Sequence, residues 1–252
     1  MKNIKTSYNQ KTKNIVQERL NPVRSHSRYI HLKLLRKNVE RLIHEHLKNG
    51  NNLILADMGC GEMPYESLVK PHVKKYIGVD LPGNLKATAF VDLETNRCNL
   101  GGNSCDIVWS IQVLSNTSNP PDYLKECFRI LKPGGKLLLS THGHWQYKPD
   151  PVDYGRWTSS GLKLELEKTG FSLIESKGMM GLLSTSLQLF QDGVLLSIPY
   201  ERLWGIPFCF IMQRFIQLTE WYISKSKTLT AHVNKDACVY FVVATKKETQ
   251  NN

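Results

Sequence analysis

No apolar run in this chain approaches the roughly 18 residues that a membrane-crossing helix needs. The longest, Leu203 to Met212, stops at Gln213 and Arg214. The N-terminus has no apolar h-region, which predicts the absence of a secretory leader. The six cysteines (Cys60, Cys98, Cys105, Cys127, Cys209 and Cys238) form no C-x-x-C pair and no zinc-type spacing with histidine. Scattered in this way they predict reduced thiols, a cytoplasmic location, and neither disulfide nor structural metal. Internal repeats and low-complexity tracts are missing too. What remains is an ordinary globular balance over 252 residues, 41% apolar and 22% charged. That excludes a disordered or fibrous chain and predicts one large domain or one domain with an elaboration.

Acidic residues are in deficit, 22 against 33 Lys and Arg, for a formal charge of +11. The excess is local: residues 1–50 carry twelve basic and three acidic side chains, while the other 202 are close to neutral. Such an arm is either a solvated basic surface or a contact with phosphate, on nucleic acid or on an anionic membrane. Aromatic–basic interleaving is absent, so nucleic acid is the weaker of these two partners.

Residues 1–24 read as irregular. A helix is expected from about Ser27 to Leu47, with Leu35, Val39, Leu42 and Ile43 at helical spacing and Asn49-Gly50 as its stop. Short apolar runs follow at Asn52–Asp57, Tyr76–Asp80, Ala89–Asp92, Asp106–Ser110 and Lys136–Thr141. Between the last two lies a helix that Asn119 caps and Pro120 starts, with Leu124, Cys127, Phe128 and Leu131 inward. Thr158 is placed to cap another that ends at Gly170; Phe171–Glu175 reads as a sixth strand and Cys238–Thr245 as a last one. Strands alternating with helices predict an α/β fold with a mostly parallel sheet. The apolar, aromatic stretch before the last strand breaks that rhythm and reads as an inserted helical cap. The expected division is a basic arm and helix over 1–50, a core over 51–176, a cap over 177–236, a completing strand over 237–246 and a disordered tail over 247–252.

The first strand runs into Asp57-Met58-Gly59-Cys60-Gly61-Glu62-Met63-Pro64-Tyr65. A glycine turn there lets a ligand approach the backbone. A nicotinamide or flavin fingerprint needs a third glycine where Pro64 and Tyr65 stand, and it lacks an acid before the turn. An acid at that place suits a ligand carrying a positive group, such as an amino acid on a sulfonium. Asp80 ends the second strand nineteen residues after Gly61, where a carboxylate accepts ribose hydroxyls. Asp92-Leu93 offers an acceptor and an apolar face for adenine.

These residues resemble the class I S-adenosylmethionine-dependent methyltransferases. D-M-G-C-G is similar to that family's motif I, G-V-D-L to its motif II, and R-I-L-K-P-G-G-K-L-L-L-S at 129–140 to the stretch leading into its fifth strand. The resemblance covers about 55–176 and the final strand. It implies a Rossmann-like seven-stranded sheet of order 3-2-1-4-5-7-6 whose last strand is antiparallel. It also implies a cofactor set: Asp57, Gly59 and Gly61 on the methionine part, Asp80 with Leu81 on the ribose, and Asp92 with Leu93 on the adenine. Ser110, ending the fourth strand, completes that set.

A narrower resemblance follows. Ser140-Thr141-His142-Gly143 and Pro149 to Thr158 (PDPVDYGRWT) are similar to a bacterial methyltransferase subgroup, often linked to glycan pathways, that pairs a T-H-G loop with P-D-P-x-D-Y-x-R-W-T. The chain departs from the pattern at Lys148, where the subgroup has histidine, and at Ser115-Asn116, where many relatives carry Glu-His. The resemblance implies O-methylation of a sugar, glycan or glycolipid-like acceptor. RNA methylation through the basic arm, or a non-catalytic binding protein on this scaffold, are the alternatives. His142 and His144 follow the fifth strand, so each is a candidate proton acceptor or a loop histidine bonded to backbone. Asp153, Tyr154 and Arg156 either touch the acceptor, Asp153 catalytically, or brace their own loop. Trp157 either stacks on a sugar or joins the core. Asn119-Pro120-Pro121 resembles an N-P-P-Y motif but reads as a helix start, because Ser110 to Ser118 separate it from the strand. The apolar cap and basic arm leave peripheral contact with an anionic inner-membrane surface as a further expectation.

Overall fold

The computed structural model describes residues 15–48, 52–149, 152–198 and 202–247. Seven strands form one sheet of order β3-β2-β1-β4-β5-β7-β6. They are β1 (Ile54–Met58), β2 (Lys75–Asp80), β3 (Ala89–Phe90), β4 (Cys105–Ile111), β5 (Leu131–His142), β6 (Phe171–Gly181) and β7 (Ala237–Lys246). The first five are parallel; β7 runs antiparallel between β5 and β6. This is the Rossmann-like architecture expected of the sequence. The helices are α1 (Tyr29–His46), α2 (Glu66–Val69), α3 (Pro120–Ile130), α4 (Ser159–Thr169), α5 (Leu182–Ser197), α6 (Arg202–Ser224) and α7 (Lys227–Lys235).

Period-two alternation makes the sheet a middle layer. Leu137, Leu139, Tyr240 and Val242 face one side, where Leu124 of α3 and Leu162 and Leu166 of α4 cover them. Leu138, Val239, Phe241 and Val243 face the other, under Leu35, Val39 and Leu42 of α1 and Ile216 of α6. The helix ends follow local chemistry. Asn119 accepts from the Asp122 amide at the start of α3, Thr158 accepts from the Gly161 amide at the start of α4, and Gly170 ends α4 at φ +100°. Asn119 is therefore a cap, as its spacing indicated. Phe128, expected inward, is only partly buried, with Gly170 against its ring.

Three segments differ from expectation. The fifth strand begins at Leu131 rather than Lys136, so Leu131 belongs to it and not to α3. Residues 15–20 are helical rather than irregular. The sixth strand continues past Glu175 to Gly181, pairing with β7 from Lys246 back to Ala237, so the cap begins at Leu182. The extension is hard to read because Gly178 interrupts it. That glycine is needed where α7 crosses, since a Cβ there would stand 2.0 Å from the Val233 carbonyl oxygen. The first fourteen residues of the basic arm and the tail from 248 lie outside the described residues. No helix among the described residues is long and apolar enough to cross a membrane.

Candidate active site

The carboxyl ends of β1, β2, β4 and β5 open into a cavity of about 1240 Å³. Its floor is the turn after β1. Gly59 and Gly61 take φ of +72° and +48°, and a Cβ on Gly59 would stand 2.5 Å from Val113 Cγ1. Nothing lies within 4 Å of a Cβ placed on Gly61, which leaves the backbone open to a ligand. The Gly59 and Cys60 amides are spent on the Val79 carbonyl, at 2.8 and 3.1 Å, so the turn is fixed by the neighbouring strand.

Two carboxylates flank this turn. Asp57 is buried at the end of β1 and accepts from the Tyr76 hydroxyl. Burial pushes its carboxyl up to about 7, against the lowering effect of Tyr76. Asp80 sits at the rim, accepting from the Gly61 amide at 2.9 Å, the Leu81 amide at 2.8 Å and the Asn84 side-chain amide at 2.6 Å. Leu81 and Leu93 line the same end with exposed side chains.

Two residues of the expected cofactor set are placed elsewhere. The carboxylate of Asp92 closes its own turn, accepting from the Glu94 and Thr95 amides and the Thr95 hydroxyl, and it does not reach the wall; Val91, Leu93 and Asn96 do. Those bonds also hold its carboxyl below the usual range. Ser110 is fully buried behind the wall. It bonds the Tyr123 hydroxyl at 2.7 Å, and Tyr123 donates to the Met58 carbonyl, tying α3 to β1 and β4.

The far end of the cavity is aromatic. The rings of His31, Trp145 and His142 lie nearly parallel, with His31 4.4 Å and His142 5.5 Å from Trp145. The Arg28 guanidinium stands 5.7 Å from the Trp145 ring. Arg19, Arg28 and Lys148 line this end, as does the exposed phenol of Tyr154. Burial, with Arg156 and Arg19 nearby, pulls the His142 imidazolium down to about 3, so its ring is neutral at physiological pH. Its Nδ1 is buried and has no partner. Gln112, at φ +64° after β4, bonds Ser140 through its backbone and side-chain amides and leaves Oε1 buried and unpaired at the wall.

The loop after β5 is held by its own residues. Gly143 passes β7 so closely that a Cβ would stand 2.2 Å from the Ala237 carbonyl oxygen. Trp157 returns its amide to the His142 carbonyl at 3.0 Å. Arg156 grips both oxygens of Asp153 and donates to the carbonyls of Trp145, Gln146 and Gly155. Asp153 also accepts from the Lys148 amide at 2.7 Å. Both its oxygens are thus occupied, and the Arg156 pair holds its carboxyl below the usual range, which removes it as a base. Arg156 and Trp157 do not line the cavity; Trp157 packs against the core. His144 points away as well, pairing with Asp236 on the surface. The loop brace is the arrangement found, and His142, Trp145 and Tyr154 are what it presents to the cavity.

The wall also contains residues that motif reading missed. Arg28 and His31 come from α1 and its approach, more than a hundred residues from His142, and no local pattern marks them. Trp145 stands three residues past His142 in the same loop and was the more accessible omission. At the two departures from the subgroup pattern, Ser115 is buried, its carbonyl accepting from the Tyr154 amide at 2.8 Å, and Asn116 lines the wall.

A profile of the methyltransferase-domain family matches residues 26–176. Among curated proteins, the malonyl-[acyl-carrier protein] O-methyltransferase of Erwinia pyrifoliae is 30% identical over 44% of this chain and 45% of its own length. A probable S-adenosylmethionine-dependent methyltransferase of Mycolicibacterium smegmatis is 26% identical over 50% of the chain and 54% of its own. The chain thus spans about half the length of the curated relatives it matches. A putative methyltransferase structure from Bacillus halodurans superposes with a TM-score of 0.51 at 17% identity, covering 83% of this chain and 99% of that one. The chain belongs to the methyltransferase-domain family, with the class I fold whose cofactor is S-adenosylmethionine.

The wall fits that cofactor. A turn that requires glycine at position 59, the buried carboxyl of Asp57 and the rim carboxylate of Asp80 stand at one end of one cavity.

Proposed function

We propose that this class I methyltransferase moves the methyl group of S-adenosylmethionine to an oxygen of a sugar, glycan or glycolipid-like acceptor, in the cytoplasm and at the inner membrane surface. The observation that carries the acceptor class is the mixed lining of the cavity's far end, where Trp145, His142 and the exposed phenol of Tyr154 stand beside Arg19, Arg28 and Lys148, aromatic and hydrogen-bonding groups suited to a hydroxylated acceptor, in the same cavity as the glycine turn.

In this reading Asp57 holds the α-ammonium, Gly59 and Gly61 admit the methionine part, and Asp80 takes the ribose hydroxyls. Leu81 and Leu93 flank the adenine. When bound, the cofactor supplies an electrophilic methyl on a sulfonium whose charge is lost in the transfer. The protein's work is therefore alignment and exclusion of water. Tyr154 and Trp145 set the acceptor's pose, and Arg156 with Asp153 act one step back by fixing the loop that carries them.

His142 accepts a hydrogen bond from the acceptor hydroxyl and orients its lone pair. A neutral ring whose conjugate acid has a pKa of about 3 is too weak a base to remove that proton beforehand. It suffices once the C–O bond forms, because a protonated ether is a far stronger acid than that imidazolium. The proton therefore moves late.

The test is transfer of labelled methyl to a panel of sugars, glycans and glycolipids. His142→Gln is expected to lower kcat about a hundredfold with cofactor affinity unchanged. Turnover on RNA but on no sugar, with affinity falling steeply in salt, would replace the glycan reading.

A further inference from the structure

The α5–α6 hairpin is built inside out. On α5 the buried side chains are Ser184, Thr185, Gln188, Gln191 and Asp192, while Leu182, Leu183, Phe190 and Leu196 are exposed. On α6, Leu203, Ile206, Phe210, Ile211, Phe215, Leu218 and Trp221 follow the helical period, and every one is exposed. Gln213, on the opposite side, is buried and binds Gln188, Gln191 and the Ser27 carbonyl. The inward face of α6 packs Gln213 together with Cys209, Met212 and Ile216, and a second apolar face is turned out along most of a 23-residue helix.

Among the described residues, the charge this element turns fully outward is positive. Between Lys177 and Lys235 the acids are Asp192, Glu201 and Glu220. Asp192 is buried against Gln146 and Gln188, and Glu220 is half-buried. The outward stripe carries Arg214, and Lys225 follows at its end with its ammonium 5.6 Å from the Trp221 ring. Trp204 and Trp221 bracket the aliphatic stretch, with Tyr222 beside the second. Apolar side chains flanked by amphipathic rings and cations are the composition of a helix lying in a bilayer interface.

We infer that the exposed face of the α5–α6 hairpin docks on a lipid surface bearing anionic headgroups. A second copy of the chain fits this face poorly. Among the described residues the exposed stripe offers Arg214 only the Gln217 side-chain carbonyl and no exposed carboxylate, so an isologous contact would bury that cation without a counter-charge. Lipid phosphates supply one, and the basic residues of the N-terminal fifth add attraction of the same sign. The geometry links the surface to the cavity, because Gln188, Gln191 and Gln213 hold Ser27, and Ser27 and Arg28 line its acceptor end. The inference goes beyond the proposed reaction and needs neither cofactor nor acceptor to be tested.

The experiment is flotation of the full chain with phosphatidylcholine vesicles and with vesicles containing phosphatidylglycerol, repeated with Phe210→Ser/Trp221→Ser and with Arg214→Glu. Circular dichroism and the melting temperature check that the variants fold. The wild type is expected to float with the anionic vesicles, with a blue shift of tryptophan emission that the double variant, lacking Trp221, does not show. The apolar double variant should lose at least about tenfold in partitioning, and Arg214→Glu a smaller factor. No binding to either vesicle would overturn the inference. So would undiminished binding of the double variant, which assigns the contact to the basic arm alone. A wild-type dimer that the double variant converts to monomer would assign the face to a second copy instead.

Discussion

At the carboxyl edge of the sheet a largely apolar packed layer lies behind the carboxylates Asp57 and Asp80, which face a cavity. In the α5–α6 hairpin Gln188, Gln191 and Gln213 pack inward beside Cys209, Met212 and Ile216, and an apolar stripe from Leu203 to Trp221 faces outward. In both regions most buried polar groups are hydrogen-bonded, with His142 Nδ1 and Gln112 Oε1 at the cavity and Glu220 Oε1 on α6 left unpaired, but the polar groups lie on opposite sides of the chain. In the sheet, polarity marks the place where a ligand replaces water. In the cap, polarity is the internal cement, and the apolar stripe marks the place where something else replaces water.

The comparison breaks first at Asp57 if the site has been misread. A carboxyl whose folded pKa is about 7 binds its proton more tightly than the unfolded chain does between pH 4 and 7. Stability from this group is therefore present at low pH, is lost as pH rises through that window, and stays low above it. Asp57→Asn, which keeps an acceptor for Tyr76, should raise the stability of the ligand-free protein at pH 8 by about 2–4 kcal/mol and leave it unchanged at pH 3. The same substitution should weaken cofactor affinity about a hundredfold. Chemical denaturation at the two pH values and calorimetry check the pair.

A second break is at Gln213. Gln213→Leu adds apolar character to a helix, yet it strips a hydrogen bond from the buried Ile30 amide and from the Ser27 carbonyl. It should cost about 2–4 kcal/mol, read from the denaturation midpoint. Third, S-adenosylhomocysteine affinity should rise about tenfold per pH unit up to 7, as Asp57 ionises, and level off above it. Flat affinity from pH 6 to 8 would detach Asp57 from the ligand. The smallest effect sharpens the contrast: Phe210→Ser, on the outward stripe, should change stability by less than about 0.5 kcal/mol, whereas a core phenylalanine costs several times that.

Much of the fold was legible because its signals are local. Five short apolar runs, each ending at a turn, gave the parallel strands, and Asn119, Thr158 and Gly170 marked helix ends by chemistry that acts within four residues. The glycine turn and Asp80 were legible for the same reason. Legibility failed where a residue's role depends on what crosses it. Asp92 sits one residue from the wall, but its carboxylate is turned into its own loop. Ser110 ends the right strand with its hydroxyl toward α3. Asp153 and Arg156 belong to a recognisable segment, but three-residue spacing let them spend their charges on each other. Composition marked the stretch before the last strand as a helical cap, but not which of its residues turn inward; Gln188, Gln191 and Gln213 do so to meet Ser27 and Ile30, far away in sequence.

Titration calorimetry of the full chain with S-adenosylmethionine and S-adenosylhomocysteine, for the wild type and Asp80→Ala, tests the central assignment most directly. Micromolar binding, on the order of −8 kcal/mol, weakened about ten- to a hundredfold by the substitution, is the predicted result. Binding of neither ligand, or binding that Asp80→Ala leaves untouched, would contradict the placement of the cofactor at the carboxyl edge of this sheet.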